Sequence, residues 1–280
     1  MLKRIAKIFL WVVGVTFLLC GLIFVISWKS PKYYTPSAAY DPNNPIIPFK
    51  DYNLEHPRPY IIRGESFVIF GGAHTRDPKD PEIAQIMEEW EKLRPTVALL
   101  EGRLGFLLPL FMDPVKNLGE GGKVKELAKR DNIPLYNWDL SKEVLAERLK
   151  GQFSPEQIAL AQILNPYFSN LRFGKPGSPE KFIEEYLKRA SYVGQQDNFK
   201  TSADVDRVWK KYFPGGPDWR EVSDQYGLPG YIGEMGVVTN DIRNRQFVTV
   251  IKELLAKKEK VFAIMGSSHA VCVAPSFKER

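Results

Sequence analysis

Histidine and cysteine are scarce: the chain has three imidazoles and two thiols in 280 residues. Cys20 falls inside a long apolar run and Cys272 stands near the other end, so no disulfide framework is available. No two histidines stand four residues apart, which excludes the HExxH helix of common metalloproteases. No basic tract is long enough to read as a nucleic-acid patch, and the net charge of +6 is that of a mildly basic solvated surface. No repeat of short period is visible either. What is there is 44% hydrophobic and 26% charged, a composition that supports one sizeable globular core.

The first forty residues do not belong to that core. The basic opening "MLKRIAK" is followed by residues 8–28, "IFLWVVGVTFLLCGLIFVISW", with no charged side chain. A helix needs about 20 residues to cross the hydrocarbon layer, and a signal-peptide core is shorter, at about 7–15. Ser27-Trp28-Lys29 is no cleavage site, so an uncleaved transmembrane anchor is expected over 1–28. Lys3, Arg4 and Lys7 before the run outweigh Lys29 and Lys32 after it. That balance predicts a cytoplasmic N-terminus and an extracytoplasmic soluble domain. Residues 29–60 are proline-rich and read as an extended linker, with His56 at its surface.

From residue 61 the pattern alternates. "SFVIF" is a buried strand. "DPEIAQIMEEWEKL" is a helix with Ile83, Ile86, Met87, Trp90 and Leu93 on one face. "TVALLEG" is a strand, "KVKELAKRDN" a helix facing inward through Val124, Leu127 and Ala128, and "IPLYNWD" a third strand. This is the βαβαβ order of a parallel sheet with crossover helices. Residues of about 141–240 are helical instead, in serine-headed segments separated by turns such as "FPGGPDW". The helix "TNDIRNRQFVTVIKELLAKKEK" and the strand "VFAIM" then close the domain. The expected fold is α/β: a mixed, largely parallel β-sheet flanked by helices, with a helical insertion, after an N-terminal transmembrane helix. The domain spans 61–280.

Ligands of parallel α/β sheets bind beyond the carboxyl ends of the strands. The residues following the predicted strands there are His74 after "FVIFGGA", Glu101 after "TVALL", Asp139 after "PLYNW" and His269 after "FAIMGSS". Gly71, Gly72 and Gly266 are expected to supply positive φ and close backbone approach, and Gly102 to do the same after Glu101. On the last helix, stepping back from Phe247 places Asn244 and Arg243 at the N-terminal end of the apolar stripe. An arginine there suits an oxyanion, a substrate carboxylate or Glu101 itself.

The order "GGAH" (71–74), "LLEG" (99–102), "RNRQF" (243–247), "GSSH" (266–269) resembles the TraB/Tiki superfamily. That group includes Tiki-type metalloproteases, GumN-like and TraB proteins, erythromycin esterases and haem-binding ChaN proteins. The likeness spans about 66–270 and implies a site of His74, Glu101, Arg243 and His269, with Asn244 at the variable position after the arginine. GumN-like members continue past the second histidine with a glycine-rich turn and another strand. Here only "AVCVAPSFKER" follows.

The expectation is therefore a membrane-anchored hydrolase acting on a peptide or small-molecule substrate, with no nucleic-acid partner. His74, Glu101 and His269 would hold a divalent metal, manganese, cobalt or zinc, that lowers the pKa of bound water. One variant dispenses with the metal and uses Glu and His on water directly. A different class, haem or peptide binding, would draw on the aromatic middle: Tyr167, Phe168, Phe173, Tyr186, Tyr192, Trp209, Tyr212 and Phe213. The plainer reading of those rings is helix-packing core. A domain without chemistry is the third alternative.

Overall fold

The computed structural model describes residues 11–18, 21, 24, 27–109, 111–171 and 174–277. Much of the expected anchor, and Phe173, lie outside these. Among the described residues no helix is long and apolar enough to cross a membrane. The chain divides into two compact units. One comprises residues 1–45, 53–139 and 247–280, the other 46–52 and 140–246.

The first unit is α/β. Its five strands are β1 (Tyr60–Gly64), β2 (Phe67–Gly72), β3 (Val97–Leu100), β4 (Leu135–Asn137) and β5 (Val261–Gly266), in the order β1-β2-β5-β3-β4. β2, β5, β3 and β4 run parallel, and β1 pairs antiparallel with β2 through a tight hairpin. The sheet is thus mixed and largely parallel. β1 has no counterpart in the sequence reading, because "YIIRG" is short and only half-buried.

Crossover helices α1 (Pro81–Leu93) and α2 (Pro114–Arg130) cover one face. Asp80 and Asp113 cap them, and a proline fills the first turn of each. Alternate strand residues Val68, Phe70, Ala98, Leu100, Phe262 and Ile264 pack against Ile83, Ile86, Trp90, Leu93, Val124 and Leu127. Met87, expected on that face, is 39% exposed instead. A helix stripe is narrower than five residues per two turns here, and Ile83, Ile86 and Trp90 already fill it. The Trp90 indole N–H donates to Asp131 at 2.7 Å, tying α1 to the end of α2. Arg63 grips Glu89 with two nitrogens, at 2.8 and 3.0 Å, which fastens β1 to α1.

The start of the proline-rich segment is extended and lies against the same unit, while its residues 46–52 belong to the other. The Trp28 N–H donates to the Leu107 carbonyl at 2.8 Å, and Trp28 is buried. The Lys125 and Lys129 ammoniums stand over its ring. Further on, residues 32–34 run beside β4, exchanging backbone hydrogen bonds with Asn137.

The second unit is helical: α3 (Lys142–Leu149), α4 (Pro155–Asn170), α5 (Pro179–Glu184), α6 (Ser202–Tyr212) and the first part of α7 (Gly230–Ala256). Ser141, Ser154 and Ser178 are N-caps as the sequence suggests, but Ser202 lies inside its helix and Thr201 caps it. The aromatics form the core: Tyr167, Phe168 and Trp209 are buried, and Tyr186, Tyr192, Tyr212 and Phe213 pack around them. α7 begins nine residues before the expected start at Thr239. Gly230, Gly233 and Gly236 weaken the helical signal, while Ile232 and Met235 are buried and stabilise that turn.

Candidate functional site

β2 and β5 are adjacent and parallel, and their register pairs Gly72 with Gly266. The two Gly-x-x-His segments therefore leave the sheet side by side. β3 flanks β5 with Leu100 paired to Ile264, so Glu101 emerges at the same edge. This register is what gathers residues distant in sequence.

Glu101 lies at the centre of the group. Its Oε2 accepts the Gly266 N–H at 2.8 Å, and its Oε1 stands 3.5 Å from His269 Nε2. His269 sits in the first turn of the short helix α8 (Ser267–Val273), which begins directly after β5. It is buried, with its ring edge-on to Trp138 at 5.8 Å between centroids. Trp138 is itself fully buried, just past β4, and its ring also packs edge-on with Phe247. Trp138 thus shapes the pocket of His269. Asp139, the strand-end candidate beside it, donates its N–H to Asn137 Oδ1 at 2.9 Å.

His74 reaches the same place from the other side. A Cβ on Gly266 would lie 2.6 Å from His74 Nε2 and 3.7 Å from Glu101 Oε2. Glycine at 266 is what leaves room for the imidazole beside the carboxylate. His74 is exposed, so it forms the rim of the site and His269 its floor. The positive φ expected at Gly71, Gly72 and Gly266 is not found there. It occurs at Gly102 (69°) and, unexpectedly, at His74 itself (65°). The strand glycines serve close approach instead.

What holds His74 in that backbone state is a pair of buried acids. The Ala73 N–H donates to both oxygens of Glu82, at 3.1 and 3.2 Å, and the Thr75 N–H donates to Glu120 Oε1 at 2.8 Å. Glu82 is 5% exposed and Glu120 4%. Burial first, and then the neighbouring Glu82, push the Glu120 carboxyl up to about 8. A Cβ on Gly72 would come within 2.4 Å of Glu82 Oε1 and 2.5 Å of Glu120 Oε2, so this glycine makes space for the pair. Neither acid is distinguishable in sequence from an ordinary surface glutamate.

Arg243 and Asn244 belong to the helical unit. Arg243 Nη1 donates to Asn240 Oδ1 at 3.1 Å within α7, and Asn244 is buried. His56, the remaining histidine, is half-buried with its ring edge-on to Tyr60.

The expected metal can be tested against this geometry. Among the described residues no group of three or more His, Cys, Asp or Glu side chains is arranged to hold a metal ion. As they stand, two imidazoles and one carboxylate, those of His74, His269 and Glu101, gather at one edge of the sheet. Comparison with protein-family models, with curated proteins and with solved structures returns no match.

Proposed function

We propose that the chain is a membrane-anchored hydrolase of the TraB/Tiki type, using Glu101, His269 and His74 as acid–base groups on a peptide or related acyl substrate. The observation that carries this reading is the meeting of Glu101 with His269 at 3.5 Å, with the His74 ring over Gly266 beside them. Two imidazoles and a carboxylate at the carboxyl ends of adjacent parallel strands are a general acid–base set.

In this reading Glu101, oriented by the Gly266 N–H, takes a proton from water as the water oxygen attacks the substrate carbonyl carbon. The tetrahedral intermediate collapses with cleavage of the C–N or C–O bond, and the abstracted proton leaves with the departing amine or alcohol. Buried His269 holds Glu101 and stabilises its charge. Exposed His74 meets the substrate and donates to its oxygen or leaving group. The membrane part rests on the charge-free run of residues 8–28.

The test is turnover by the full chain in detergent against peptide and ester substrates. Glu101→Gln and His269→Ala should each lower kcat/KM by about 10²–10⁴-fold, with the circular dichroism unchanged. Activity should survive a chelator. Variants that turn over like the parent protein overturn the assignment, and loss of activity on chelation replaces it with the metal reading. A Soret band in purified protein without turnover favours haem binding instead.

A further inference from the structure

We propose that Glu82 and Glu120 are positioning residues for His74: two buried carboxyls that take the backbone N–H groups on either side of it, at Ala73 and Thr75, and so fix the imidazole over Gly266. This rests on the acid–base reading only for its purpose, since the geometry stands without it.

Backbone N–H groups gathered in a turn make a concavity that attracts an anion. After a Gly-Gly strand end, such a nest is often a place for a ligand's phosphate or carboxylate. Here the protein supplies the anion. Glu82 comes from the first turn of α1, where the helix dipole favours a carboxylate, and Glu120 comes from α2. α2 breaks locally to deliver it: Gly119 has φ 63°, and a Cβ there would stand 3.2 Å from the Thr75 carbonyl oxygen.

Both side chains are about 95% buried and stand over Gly72, where a Cβ would come within 2.5 Å of each carboxyl. Glu82 takes the Ala73 N–H, while Glu120 takes that of Thr75. The left-handed φ of 65° at His74 costs on the order of 1–3 kcal/mol for a non-glycine residue, and these bonds offset it. Without them the loop relaxes and the imidazole leaves Glu101.

The arrangement predicts a sharp difference between two substitutions at one position. In Glu120→Gln the amide oxygen still accepts from Thr75. In Glu120→Ala the Thr75 N–H loses its acceptor.

The measurement is imidazole nitrogen NMR on the ¹⁵N-labelled full chain, which has only three histidines to resolve. Glu120→Gln should leave the His74 signals in place. Glu120→Ala should shift or broaden them, leave those of His56 unmoved, and speed amide exchange at Thr75 by about tenfold. If Glu120→Ala does not fold, Glu120→Asp, which withdraws the carboxyl by one methylene, is read the same way. Unmoved His74 signals in a folded Ala or Asp variant overturn the proposal, as does a Gln variant that shifts them as far. None of these readouts needs turnover. A chain that shows the NMR pattern yet hydrolyses nothing refutes the hydrolase and keeps the acid pair.

Discussion

At the scale of single residues, the site is a matter of what a side chain leaves room for. Gly266 admits His74, Gly72 admits two carboxyl groups, and Trp138 fills the space behind His269. Trp138 is fully buried and its indole also faces the Ile264 carbonyl, at 3.4 Å. Trp138→Ala should therefore destabilise the α/β unit by about 3–5 kcal/mol, read from the denaturant midpoint. Trp138→Phe keeps an aromatic edge toward His269 and should cost clearly less. Equal losses in the two variants would show that the ring edge does nothing for the imidazole. His74, Glu101 and His269 were legible because strand ends and glycines mark them. Trp138, Glu82 and Glu120 were not, because burial and partnership are properties of the folded chain. In sequence, Glu82 is simply a helix-start acid and Glu120 one carboxyl in a lysine-rich helix.

At the scale of elements, the parallel strands and their crossover helices could be read from periodicity, and the register could not. The last strand in sequence inserts between β2 and β3, a placement that no local pattern encodes. The turn after β2 gives a pH prediction. The Glu120 carboxyl, raised by burial and then by Glu82 to about 8, stays protonated in the folded chain where the unfolded chain, near 4.5, has released its proton. The folded state then binds more protons between those values. This contribution to stability is complete below about pH 4.5 and is lost as pH rises through about 8. Denaturation midpoints should fall across that window, and Glu120→Gln should flatten the fall. A variant that follows the parent curve would assign the dependence to other groups.

At the scale of the whole molecule, two compact units share one chain, and α7 carries residues of both. Arg243 and Asn244 fall in one unit, and the histidines and Glu101 in the other. The expected topology is testable in cells. The chain should resist alkaline carbonate extraction from membranes, an N-terminal reporter should be read in the cytoplasm, and a C-terminal one outside it. Release by carbonate would remove the anchor, and a reversed reporter pattern would invert the orientation. The hydrogen bond from Trp28 to Leu107 has a consequence at this scale. It ties the last residue of the apolar run to the loop that leaves Glu101, and the same loop turns Phe106 and Phe111 outward. If residues 8–28 span a bilayer as proposed, this bond would hold the loop after Glu101 close to the headgroups. Encounter with a substrate in that membrane would then be a two-dimensional search, paced by density per unit of lipid area and not by molarity in the bulk.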